Sequence, residues 1–222
     1  MKRLSIFIFS IFMVTYSYTQ GVSFSYLIPK KGEIAAPISP FSIRGIGIGK
    51  IVGIETGGSL YFIPGLPAKG LPFDSNKAIF GSQYAFLLPL QAFLNIPISR
   101  ARIKFLAGGF GWYNISPKIN NGNLDKALRQ HTGWDVLTST YQFENNIGWG
   151  LIGGIEFEFQ ITKNAALSFQ TQYLNGYVNA PMTGSYAGGN IGNPISSVDV
   201  DFTEAKASIE GLEISIGVSL LK

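Results

Sequence analysis

His131 is the single histidine of the 222-residue chain and the first residue to weigh for catalysis. It lies in "NGNLDKALRQHTGWDVL" (121–137), with Asp125 and Asp135 close by in sequence. A lipid-modifying enzyme, an acyltransferase or deacylase, would need such an imidazole beside a serine and an acid. No serine motif accompanies it, so a surface or lid histidine is the plainer reading and no enzymatic activity is expected. Leu124, Leu128, His131 and Trp134 fall near helical spacing, which predicts a short amphipathic helix here. "GIGIGK" (45–50) and "GWGLIGG" (148–154) resemble phosphate loops only at a glance. The first lacks Ser or Thr after Lys50, and neither has a strand–loop–helix context. Glycine there fits tight curvature or close packing.

Acids come next. Asp125, Asp135, Asp199, Asp201 and Glu204 fall between the regular segments, but "SVDVDFTEAK" lacks the ligand spacing of a calcium loop. A solvated rim is expected, with no metal or other cofactor. The chain has no cysteine, hence no disulfide, no thiolate metal site and no cysteine-borne lipid anchor.

The most informative charges are Glu156 and Glu158, set between Ile155, Phe157 and Phe159. Successive side chains of a strand point to opposite faces. From Ile147 to Gln160 one face is therefore continuous oil, and the other is small and acidic. The pattern recurs. Val52, Ile54, Leu60 and Phe62 oppose Gly53, Glu55, Gly57 and Ser59; Tyr84, Phe86, Leu88, Leu90 and Leu94 oppose Gln83 and Gln91. Ile103 and Phe105 oppose Arg102 and Lys104. Leu167, Phe169 and Tyr173 oppose Ser168, Gln170 and Gln172; Leu212 to Leu220 oppose Glu213, Ser215 and Ser219. "FSIRGIGIG" changes phase after Ile43 and needs a bulge or an inward Ile. A soluble sandwich would turn such oil inward; a membrane barrel turns it to lipid and keeps polar residues inside.

What positions these residues follows from the rest of the chain. Charged residues are only 14%, yet after the N-terminus no run reaches the length of a membrane helix. Lys2 and Arg3 precede "LSIFIFSIFMVTYSY" and small residues, the pattern of a secretory signal peptide, assigned to residues 1–20 and cleaved near Thr19 or Gln20. Residues 21–222 then form one barrel domain. Short connections near Lys50, at 95–99 and at 161–164 alternate with long ones at about 29–40, 63–82, 114–144 and 179–205. That alternation marks an outer-membrane barrel. With "VSFSYLI" (22–28) first and 207–221 last, it predicts an all-β, up-and-down antiparallel transmembrane barrel of eight strands, both termini periplasmic.

Tyr61, Tyr84, Trp112, Tyr113, Trp149, Tyr173 and Tyr177 lie at strand ends nearest the long loops and are expected as interfacial aromatics. Arg44, Glu55, Arg102, Lys104, Glu156, Glu158 and Glu213 are expected inside as a polar network, since the interior of an eight-stranded barrel is just wide enough for side chains to fill. The formal charge of +4, about +2 without Lys2 and Arg3, is too slight and scattered for nucleic acid. Arg129, Lys126 and Lys206 are placed to meet lipopolysaccharide and other outer-membrane lipid.

The signal followed by Gln20, the hairpin "GIEFEFQ"–"ITKN"–"ALSFQTQY" and the closing "LEISIGVSLL" resemble the small outer-membrane β-barrel proteins of Gram-negative bacteria, most of all the porin-like families of Bacteroidetes. The resemblance implies insertion by the barrel assembly machinery. That machinery commonly reads a terminal aromatic residue, where this chain has Leu220, Leu221 and Lys222. It implies a structural, adhesion or minor transport role. The alternatives are a barrel passing a small apolar ligand along inward Leu87, Phe93, Leu106, Phe110 and Leu174, and an enzyme using His131.

Overall fold

The computed structural model describes residues 19–30, 35–75 and 77–221. All of the expected signal peptide except Thr19 and Gln20 lies outside them. In chain order the strands are β1 (Thr19–Pro29), β2 (Ile38–Gly49), β3 (Val52–Ile63), β4 (Ala68–Lys69), β5 (Gln83–Ile98) and β6 (Ala101–Ile115). Helix α1 (Asn121–Thr132) follows, then β7 (Val136–Phe143), β8 (Ile147–Thr162), β9 (Ala165–Asn179), β10 (Met182–Gly189), β11 (Ser196–Phe202) and β12 (Lys206–Leu221).

Eight of these strands close a barrel in the order β1-β2-β3-β5-β6-β8-β9-β12. Closure is the antiparallel β1–β12 ladder, from Thr19↔Leu221 to Pro29↔Gly211. Alternation along each strand makes the wall two-faced. On β5, Tyr84, Phe86, Leu88, Leu90 and Leu94 are exposed outward, whereas Gln83, Leu87, Gln91 and Phe93 are buried inside. The outward face bears Val22, Phe24, Ile54, Leu151, Phe157, Ile214, Ile216 and their like around the whole circumference. A continuous apolar belt of that size needs a lipid environment.

One rim carries the two-residue turns 50–51, 99–100 and 163–164 together with both described chain ends; the long connections leave from the other. The turn expected at 95–99 is displaced: β5 runs on to Ile98, and the reversal falls at Ser99–Arg100, with Ser99 at φ 54°. The phase change in "FSIRGIGIG" resolves as a bulge, the β2–β3 register slipping between Ile43 and Ile46 around Gly45 at φ 73°. Two of the inward glycines admit a large neighbour. The Phe110 ring lies against Gly150 and Gly176, where an added Cβ would stand 2.6 Å from ring carbons.

Beyond the long-loop rim the wall does not stop evenly. β7, β10 and β11 form a three-stranded sheet, order β11-β10-β7. β7 leads directly into β8, β10 continues β9, and β11 leads into β12. The rungs across the junctions are kept: Glu144 N–H donates to Pro181 O at 3.1 Å and Ala180 N–H to Ala205 O at 2.9 Å. This sheet is thus a fin raised from three adjacent wall strands. Helix α1 packs on β7, burying Leu124, Ala127 and Leu128. Asn120 caps its start by accepting the Asn123 N–H, and Gly133 ends it in the left-handed conformation at φ 70°. One apolar core runs from Leu87, Phe110 and Leu174 in the barrel to Leu66, Phe80, Leu124 and Met182 above it.

Candidate functional site: a sealed interior beneath a raised sheet

The β6–β8 register sets Arg102 opposite Glu158 and Lys104 opposite Glu156, so two inward cations face two inward carboxylates. Arg102 Nε lies 3.0 Å from Glu158, and Lys104 Nζ 2.8 Å from Glu156. Lys104 also reaches past β5 to Glu55 on β3, at 3.1 Å. Its side chain is only 4% exposed, and its ammonium lies 5.6 Å from the centre of the Phe93 ring. Across the barrel, Arg44 meets Glu213 at 2.5 Å and Gln170 at 2.6 Å, and it also donates to Gln172, Ser23 and Ser25. Arg44, Glu55, Arg102, Lys104, Glu156, Glu158 and Glu213 thus point into the barrel, in two clusters centred on Lys104 and Arg44.

Tyr61 and Trp112 require correction. Both are buried in the barrel rather than set at a lipid interface. Tyr61 shares parity with Glu55 and Ser59, and its hydroxyl donates to Glu213. Trp112 shares parity with Arg102 and Lys104, and its ring lies against Gly148. Period-2 alternation places both inward, and nearness to the loop end does not override it. Tyr84, Tyr113, Trp149 and Tyr173 are exposed on the outer face; Tyr177 is half-buried, 5.1 Å from the Trp149 ring and under the Lys206 ammonium at 5.2 Å.

The inward apolar positions separate. Phe93 lines a cavity of about 160 Å³ at the short-turn mouth, together with Glu55, Arg102 and Lys104. Leu106 is buried too, opposite Phe93 in the β5–β6 ladder, whereas Leu87, Phe110 and Leu174, with Tyr61 and Trp112, fill the half of the barrel nearest the long loops. Two filled layers therefore lie in series along the lumen: a charge-paired one, then an apolar one continuous with the cap.

His131 is exposed on α1, its ring 5.7 Å from that of Phe73. Asp125 accepts from Ser139, and Asp135 accepts from the Ile191 N–H at 3.0 Å. Among the described residues no hydrogen bond joins His131 to a serine or to either acid. "GIGIGK" and "GWGLIGG" lie on wall strands β2 and β8.

The fin escaped the sequence reading, although Val198, Val200 and Phe202 alternate with Asp199 and Asp201 along β11, a period-2 signal. Its tip, the β10–β11 turn, exposes Ile191 at 85% and Ile195 at 74%. Asp135 and Asn190 tie the tip across to the start of β7.

No family model and no curated protein matches this chain. Among solved structures, it is similar to the outer membrane protein OprG of Pseudomonas aeruginosa at 13% identity and TM-score 0.45, covering 91% of this chain and 94% of that one. A major outer membrane protein of Thermus thermophilus aligns at 10% identity and TM-score 0.43, over 91% and 98%. Ail, the attachment invasion locus protein of Yersinia pestis, aligns at 10% and 0.40, over 91% and 94%. Scores this low carry no argument of their own; the barrel rests on the closed ladders and the apolar belt.

Proposed function

We propose that this chain is a non-conducting integral barrel of the Gram-negative outer membrane whose working part is the sheet it raises above the lipid, used for surface adhesion. On this reading the short-turn rim and both termini face the periplasm, and the fin faces outward. Kinship with the porin-like barrels of Bacteroidetes is part of the same proposal, supported by the hairpin and the closing strand. The observation that carries it is the direct continuation of β8, β9 and β12 into the fin above an interior filled by side chains. A solute channel needs open lumen and has little use for a rigid projection; an adhesin needs the reverse. Strands of seven or eight residues lift the tip about 25 Å above the rim. There Ile191 and Ile195 stand exposed, where burial against a partner would gain about 1.5–3 kcal/mol each.

The test has two arms. In planar bilayers the protein gives no steady conductance. An Arg102→Ala/Lys104→Ala variant stays closed as well, because the apolar seal remains. Large stable pores in the unmodified protein would instead establish a porin. On cells, Ile191→Asp/Ile195→Asp abolishes attachment and aggregation at unchanged surface level. Undiminished attachment would remove the tip from the mechanism.

A further inference from the structure

The wall has a notch at its closure seam. Descending from the long-loop rim, β12 is flanked on its free side first by β4, at Lys206↔Lys69 and Ala207↔Ala68, and then by β1 from Gly211 onward. Between these ladders, among the described residues, the edge of Ser208–Glu210 is held by Ser208 N–H to Pro67 O at 3.3 Å and Lys30 N–H to Glu210 O at 3.0 Å. Behind the notch is a cavity of about 460 Å³, within the range of small-molecule sites.

Its lining is two-sided. Leu27, Leu66, Phe73 and Ile209 supply an apolar floor. Among the described residues Lys30, Lys69 and Lys77 stand around it with Glu210 and Asp74, one positive charge in excess. Glu210 is paired tightly with Lys30 at 2.5 Å and more loosely with Lys69 at 3.6 Å, so two ammonium groups share one carboxylate. Among the described residues Lys77 forms no ion pair. Glu210 also accepts from the Tyr173 hydroxyl at 2.8 Å, and Tyr173 is exposed on the outer face. The mouth is thus level with the aromatic girdle, where lipid headgroups lie.

We infer that this notch is a binding site for a single-chain amphiphile with an anionic head: the chain enters between β1 and β4 onto the Leu27–Ile209 floor, and Lys69 and Lys77 hold the head. An apolar floor alone would accept any alkyl chain; the flanking ammonium groups select the anionic one. The proposal does not depend on adhesion. It concerns the wall and not the fin.

The test uses the full protein in phosphatidylcholine nanodiscs with a photoreactive long-chain carboxylate, the alcohol of the same chain, and inorganic phosphate as competitor. Adducts mapped by mass spectrometry should concentrate at Leu27–Pro29, Leu66–Phe73 and Ser208–Glu210. Lys69→Glu/Lys77→Glu should lower carboxylate labelling about tenfold while sparing the alcohol. Ala68→Trp, which fills the cavity, should remove both labels; if that variant does not fold, the lysine pair decides. Labelling spread evenly over the apolar belt overturns the site. Equal loss of both probes in the lysine variant overturns the head-group assignment. Displacement by inorganic phosphate alone reduces the notch to a simple anion site and overturns the amphiphile.

Discussion

Replacing Lys104 by Met removes a cation that pairs with both Glu55 and Glu156. Both carboxylates are buried, and Lys104 stands 3.1 and 2.8 Å from them. At about 3 Å and an effective dielectric constant near 20, each attraction is worth about 5 kcal/mol before desolvation is subtracted. Removing one partner of a buried pair, and leaving charge behind, costs roughly 3–5 kcal/mol net. Two stranded carboxylates, on β3 and β8, put this variant at the upper end of that range. Met fills most of the vacated volume, so the loss reports charge rather than a cavity. Adding Glu55→Gln and Glu156→Gln removes the stranded charges and should restore most of the stability. The measurement is a reversible urea titration of the folded barrel in lipid vesicles, followed by tryptophan fluorescence. A single-variant loss under about 1 kcal/mol, or a triple variant no better than the single, would refute a charge-sealed layer.

Arg at Leu151, which faces lipid, should cost roughly 2–4 kcal/mol in the same titration. Ile152→Arg should cost more, because that side chain is buried in the apolar core; alternation alone, with a polar lumen assumed, gives the opposite order. Gly150→Val should destabilise by about 1–3 kcal/mol through collision with the Asn175–Gly176 backbone as well as the Phe110 ring, and a companion Phe110→Leu should recover only the smaller part due to the ring. At the seam, Glu210 lies just above the apolar belt of β12. The hydrogen bond from Lys30, then that from Tyr173, hold its carboxyl below the ordinary glutamate value. The stabilisation is therefore present above the unfolded value and lost as pH falls through the folded one. The difference in thermal midpoint between the protein and Glu210→Gln should be full at neutral pH and shrink to nothing as the solution is acidified through the folded-state titration.

Strand alternation made the wall legible residue by residue. Leu87 and Phe93, which interrupt the polar face, are inside as their parity requires, and so are Glu156 and Glu158. Strand direction was legible too, because short and long connections alternate. Pairing was not: nothing in the sequence states that Lys104 bridges β3 and β8, or that Arg44 spans to Glu213 on β12, since those contacts depend on the closure register. Tyr61 and Trp112 were misplaced because nearness to a loop was weighed above parity. The fin was hidden for another reason. In "YAGG" small residues replace the apolar face, and in "SVDVDF" the exposed acids resemble a loop, so each strand shows its period only beside its neighbours.

The fin's three strands follow the wall strands through junctions of only two or three residues, 144–146, 180–181 and 203–205, and backbone hydrogen bonds from Glu144 to Pro181 and from Ala180 to Ala205 bridge them. A tug on the Ile191–Ile195 tip therefore runs straight down β10 and β11 into β9 and β12. The ladders that resist it reach from Lys206↔Asn179 to Leu220↔Ala165 on one side and from Thr19↔Leu221 to Pro29↔Gly211 on the other. Force along a strand loads such ladders in shear, many bonds together, whereas a loop-borne tip would be peeled off one bond at a time. To pull the tip free, a force must slide a whole stave out of the barrel.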